Sequence, residues 1–220
     1  MNRAADARAP DAPPAFDEAF RKRLADLLAW RRDVRRFRTD PVPIDLIDGL
    51  IATAGLSPSV GNSQPWRWVR VGDPDRRRRI AESFARANAD AATAYADDQR
   101  AHYLGLKLAG LSTAPVQLAV FCDMSTAQGS GLGRRTMPEM LAYSAVLSVH
   151  TLWLAARAHG LGVGWVSIIE PEAVNAALDV PAAWRLIAYL CVGWPEEEHA
   201  DPELERAGWQ ARTPITLIER

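Results

Sequence analysis

Residues 138–160, PEMLAYSAVLSVHTLWLAARAHG, are apolar on almost every side of the helix they would form. A surface helix needs one apolar stripe; a helix that is apolar all round must be covered on all sides. This stretch therefore predicts a central, buried helix, opened at Pro138 and closed at Gly160, with the rest of the chain layered about it.

The flanking elements follow from periodicity. Phe20, Leu24, Leu27 and Leu28 recur at helical spacing between Asp17 and Trp30, and a second helix is expected from Pro43 through DLIDGLIATAGL, stopped by Pro58. A third is expected after Asp73-Pro74, its Arg76–Arg79 run forming a solvated face, and YLGLKLAGL reads as helical too. Four stretches read as strands, namely 66–71, 116–123, 163–169 and 185–194, with a short helix, PEAVNAALD, between the last two. Helices outweigh strands, and four strands suffice for one central sheet, so the fold class is α+β. The 220 residues suit a single domain over 16–220 with a polar, turn-rich C-terminal extension, and residues 1–15, rich in Ala, Pro and Asp, are expected to be disordered.

The formal net charge is −1, which argues against a generally basic nucleic-acid binder. Cys122 and Cys191 lie in apolar strands and read as core side chains of a reducing compartment; the four histidines have no metal-binding spacing, and no metal is expected. No apolar signal core and no run of about 18 apolar residues is present, so the expected location is cytoplasmic.

Against that near-neutral balance, RRDVRRFR (31–38) places five arginines in eight positions around Asp33. Guanidinium forks match phosphate oxygens two at a time, which suggests an anion clamp; a cationic helix end with surface ion pairs explains the spacing equally well. SPSVGNSQPW (57–66) is an irregular loop that lets a planar ligand approach the main chain, or simply a turn. GLGVGWVSI (160–168) alternates glycines into a strand, which could mark backbone packed against a flat ring, and carries Ser167. GLGRRTMPEM (131–140) is a further Gly/Arg loop.

Taken together, RRDVR, PSVGNSQPW, LKLAG, GLGRRTMPE and GWVS, in this order, resemble the nitroreductase-like flavoprotein superfamily over roughly residues 17–212. The superfamily commonly has serine where this chain has Asp33. That departure is similar to the branch that fragments flavin to make the benzimidazole ligand of cobalamin.

The resemblance implies an FMN-binding fold with a mixed central sheet flanked by helices, and a homodimer whose long central helices pack together. Arg31, Arg32, Asp33, Val34 and Arg35 would hold FMN, with Arg212 assisting at its phosphate. Ser59, Val60, Gly61 and Lys107 would contact the flavin, Gly164 and Ser167 would border its ring, and residues 88–104 would form a lid. It further implies that reduced FMN is a substrate, broken down with O2 to 5,6-dimethylbenzimidazole and erythrose 4-phosphate, with NAD(P)H acting only through a separate flavin reductase. Asp33 would be the general base at the ribityl chain and Ser167 a hydrogen-bonding partner of oxygenated species. Two other readings keep the clamp: an NAD(P)H-dependent nitroreductase or quinone reductase, and a flavin-storage protein.

Overall fold

The computed structural model describes residues 13–106 and 109–220. The expected disorder of residues 1–15 falls almost wholly outside this range, as does Lys107.

Helix α1, Glu18–Trp30, starts where predicted, with the Asp17 carboxylate accepting a hydrogen bond from the Phe20 amide at 2.7 Å. Helix α2 is Ile44–Ala54, and strand β1 is Trp66–Arg70. Helix α3, Pro74–Thr93, is capped by Asp73, which accepts from the amides of Asp75 and Arg76. The expected helix over YLGLKLAGL is interrupted: α4, Asp97–Gly105, ends at the first glycine of that run, and a short α5, Gly110–Thr113, begins at the second. Strand β2, Val116–Asp123, is buried along nearly its whole length. Helix α6 is Met140–Ala158, β3 is Gly162–Val166, α7 is Pro171–Leu178 and β4 is Trp184–Gly193. Strand β3 is shorter than the predicted 163–169. A short helix α8, Glu203–Arg206, lies in the tail where no element was expected.

The sheet order is β1-β2-β4-β3, and every strand pair is antiparallel. The mixed character expected of the sheet reduces to one parallel bridge, Asp33 to Val163, made by a segment outside the four strands. Alternation of side chains sends Leu118, Val120, Leu190 and Val192 to one face, against α2 and α6, and Ala119, Phe121, Tyr189 and Cys191 to the other, against α3 and α7. Helices thus cover both faces, and β2 and β4 lie in the middle. The polar atoms trapped there are satisfied: the Tyr189 hydroxyl donates to Gln117 Oε1 at 2.5 Å, and Gln117 Nε2 donates to the Leu111 carbonyl at 2.9 Å. Both cysteines are free and buried, as expected.

Helix α6 ends as predicted, with Gly160 in the left-handed region at φ 76° and the Leu161 amide reaching back to the Ala156 carbonyl. Its inner side, including Ala145, Val149, Leu152 and Ala156, is fully buried. Its outer side is not: Tyr143 keeps 50% and Leu147 46% of their surface, and Val146 is exposed beside them. Helix α1 buries none of its residues and leaves Phe20, Leu24 and Leu28 open.

Candidate functional site

After α1 the chain runs as an extended segment, 31–38, along the outer edge of β3. The Val34 amide donates to the Val163 carbonyl at 3.0 Å and the Arg38 amide to the Trp194 carbonyl at 2.9 Å. Phe37, fully buried, is its anchor. The glycines of GLGVG explain how it fits so closely. A Cβ on Gly162 would lie 2.7 Å from the Val34 side chain, and one on Gly164 would collide with the Val34 carbonyl oxygen. The crossing of this segment by itself requires glycine at 164.

This packing aims the segment's charges into a cleft. Arg31 lies over the Trp153 ring, 4.8 Å from its centroid, while the Trp153 indole donates to the Arg32 carbonyl at 3.3 Å. Asp33 Oδ1 accepts from the Trp165 amide at 2.9 Å. Asp33 Oδ2 is 3.7 Å from Arg35 Nε. Burial holds the Asp33 carboxyl above the usual carboxylate range; the Trp165 hydrogen bond and the charge of Arg35 pull it down, and Glu203 pushes it up again. Its side chain nevertheless keeps 38% of its surface open, as a group at the floor of a cleft does.

The opposite wall is a strap, residues 195–212, whose acidic run EEEHADPE (196–203) mirrors the arginine run with five carboxylates in eight positions. Arg32 Nε donates to the Ala200 carbonyl at 2.8 Å. Arg36 pairs with Glu197 and, at 3.5 Å, with Glu203; Arg157 holds Glu198 through two hydrogen bonds of 2.6 and 3.2 Å. The hydrogen bond from Arg36, helped by His199, pulls the Glu197 carboxyl down to about 2. Part of the cationic charge is thus offset within the chain. Arg32 makes no such ion pair among the described residues: burial, then repulsion from Arg31 and Arg212, weakens its hold on its proton, with Asp201 and Glu205 opposing from a distance. That surplus, and a buried Arg35 Nε with no hydrogen-bond partner among the described residues, fit an anionic phosphorylated ligand.

The other predicted contacts are spread over the end of β3, the strap and the loop before β1. Ser167 is exposed just past β3. Arg212 is exposed on the strap, within electrostatic reach of Arg32. Ser59, Val60 and Gly61 form a tight loop: the Val60 amide donates to Ser144 Oγ at 3.1 Å, and Gly61, at φ 57°, fits against Gly129 and Leu132. Ser144 and Trp153 are nine positions apart on α6, roughly 14 Å along the axis at 1.5 Å per residue, so this loop and the arginine segment meet different ends of one helix. The cavity at the arginines holds about 40 Å³ and the adjoining cleft about 190 Å³, both below the roughly 300–1,000 Å³ of ligand sites. Among the described residues this cleft is therefore an open wall and not an enclosed pocket. The expected lid is folded as the end of α3 and α4, and is tied to the strap by Trp209, whose ring sits 5.6 Å from Tyr95 and 5.5 Å from His102.

Sequence reasoning missed Trp153, Glu197, Glu203 and Trp209. The one legible signal was the acidic run, equal in density to the arginine run.

The nitroreductase family model matches residues 28–194. A 5,6-dimethylbenzimidazole synthase of Rhodospirillum rubrum is 58% identical over 207 residues, covering 94% of this chain and 98% of the relative. A protein of the same name from Rhodobacter capsulatus is 47% identical over 205 residues, covering 93% and 99%. Among solved structures, iodotyrosine deiodinase bound to FMN and 3-iodo-L-tyrosine superposes with a TM-score of 0.70 at 24% identity, covering 90% of this chain and 97% of that one, a likeness of fold.

Proposed function

The chain belongs to the nitroreductase family, and on that premise we propose that it is an oxidoreductase converting reduced FMN and O2 to 5,6-dimethylbenzimidazole, the lower ligand of cobalamin, with release of erythrose 4-phosphate. One observation carries this reading beyond the family: an acidic side chain, Asp33, sits on the floor of a cationic cleft with its proton affinity raised.

Bound in reduced form, FMN supplies both the electrons for oxygen and the carbon skeleton of the product. Arg31, Arg32 and Arg212 hold the phosphate, and Arg35 with the main chain at Val34 orients the ribityl chain and ring edge. Asp33 takes a proton at the ribityl C1′ carbon or its neighbouring hydroxyl, a role worth about 10²–10⁴ in rate. The Trp165 amide fixes one carboxylate oxygen and leaves the other turned toward Arg35. Ser167 donates a hydrogen bond to oxygenated species, and Gly164 keeps the strand edge close.

The site is completed by a second copy. The exposed apolar residues Tyr143, Val146 and Leu147 of α6 form the contact, bringing the Ser59–Gly61 loop of one protomer to the arginines of the other. Lys107 contacts the flavin, and residues 88–104 close over it as a lid that excludes water. A separate NAD(P)H-dependent flavin reductase supplies reduced FMN in the cytoplasm.

The test is direct. The protein is mixed with FMN, the flavin is reduced chemically, air is admitted, and products are identified by mass spectrometry. The proposal expects benzimidazole. Repeated NADPH consumption with a nitroaromatic acceptor would select the ordinary reductase of the same family, and reoxidation to intact FMN would select storage.

A further inference from the structure

Arg35 is held in an unusual way. Its side chain is only 12% exposed, its Nε is buried, and it makes no hydrogen bond there among the described residues. Two carboxylates face that nitrogen at almost equal range, Asp33 Oδ2 at 3.7 Å and Glu203 Oε2 at 3.8 Å. Both are beyond the 2.7–3.2 Å of a proper hydrogen bond. A buried guanidinium with one acid beside it closes on that acid; this one is shared and closes on neither.

Glu203 is placed for sharing. Its second oxygen lies 3.5 Å from Arg36, so its carboxylate bridges two arginines of the same segment. Arg36 is anchored in turn by Glu197. The helix that carries Glu203 is fixed from below, where the Trp209 amide donates to the Leu204 carbonyl at 2.8 Å and the Trp209 ring packs on Tyr95 and His102.

An opposite charge favours the ionised carboxylate and a like charge disfavours it, so how Arg35 is divided sets how readily Asp33 takes a proton. The groups facing Asp33 are Arg31 and Arg35 from its own segment, the Trp165 amide from β3, Cys191 from β4 and Glu203 from α8. Burial pushes the Cys191 thiol up to about 12, so it carries no charge at neutral pH. Glu203 is the one negative charge in the set.

We propose that Glu203 is a positioning residue for Asp33: by holding part of Arg35 it prevents Asp33 from closing into an ion pair and leaves its carboxylate free to accept a proton. This rests on the reading of Asp33 as the base, and it assigns a role to the acidic strap.

The test begins with the ligand-free, full-length protein, ¹³C-labelled, by following aspartate side-chain carboxyl shifts against pH. The Asp33 resonance is the one missing from Asp33→Asn. In Glu203→Gln its midpoint moves to lower pH; in Glu203→Asp, which keeps the charge, it stays near wild type. With reduced FMN and O2, the acid limb of kcat/KM moves down in parallel, and kcat falls by less than the roughly 10²-fold expected for losing a base outright. An unmoved midpoint in folded Glu203→Gln overturns the proposal. Should that variant not fold, Arg36→Gln serves: it releases Glu203 to Arg35 and shifts the midpoint to higher pH, and a downward or absent shift there overturns the proposal as well. The two readings fail separately. A shifted midpoint in a protein that makes no benzimidazole keeps the coupling and discards the function, whereas an unshifted midpoint in an active protein discards only the coupling.

Discussion

The Val34 carbonyl oxygen occupies the space that a side chain at Gly164 would need, so the arginine segment and strand β3 cross in direct backbone contact. The position of every charged group from Arg31 to Arg36 depends on that crossing, because the Val34 amide is bonded to the same strand at Val163.

Gly164→Ala therefore pushes the segment off the strand. Backbone cannot rotate out of the way as a side chain can, so the variant is expected to lose at least the 1–3 kcal/mol typical of overpacking, a fall in Tm of several °C. FMN affinity should drop tenfold or more with it. Gly72→Ala is the control: nothing lies within 4 Å of a Cβ there, and its Tm should be close to wild type. Thermal melts and flavin fluorescence titrations check both.

Asp33→Asn should bind FMN within a few-fold of wild type, since the amide oxygen can still accept from Trp165, while benzimidazole formation falls about 10²–10⁴-fold. Its stability has a definite sign. The folded carboxyl is raised, chiefly by burial, so between the unfolded value of about 3.9 and the folded value the native state holds the extra proton, and native stability falls as pH rises. Below that window the carboxyl is neutral in both states and contributes nothing. The Tm of Asp33→Asn relative to wild type should thus increase from pH 4 to pH 8, and a flat difference would contradict the burial of Asp33.

Arg32→Ala removes charge-assisted hydrogen bonds worth roughly 1.5–3 kcal/mol each, equivalent to about 10–150-fold in the FMN dissociation constant. Riboflavin, which lacks the phosphate, should lose much less. Equal losses for the two ligands would place Arg32 away from the phosphate.

The cysteines should be inert in the native protein. Burial pushes Cys122 up to about 11 and Cys191 up to about 12, leaving almost no thiolate at pH 8. A chromogenic disulfide reagent is expected to titrate both thiols in denaturant and neither, over the same interval, without it.

The amino-acid sequence alone determined what depends on neighbours along the chain. Helical spacing marked the outer helices and alternation the strand at 66–71, because burying one face requires those periods, while the other strands stood out as short apolar runs. Asp17, Asp73 and Gly160 marked helix ends for equally local reasons. The density of charge in RRDVRRFR left an anion clamp and a cationic helix end both open, and the family resemblance alone singled out Asp33 for chemistry. Tertiary structure decided the rest, since the deciding contacts span the chain: Trp165 meets Asp33 across 132 residues, Ala200 meets Arg32 across 168, and Glu203 meets Arg36 across 167. No periodicity encodes such pairs. Only the packing of β3 and the strap on either side of one extended segment determines which carboxylate faces which guanidinium, and why the glycines beside them make room for backbone.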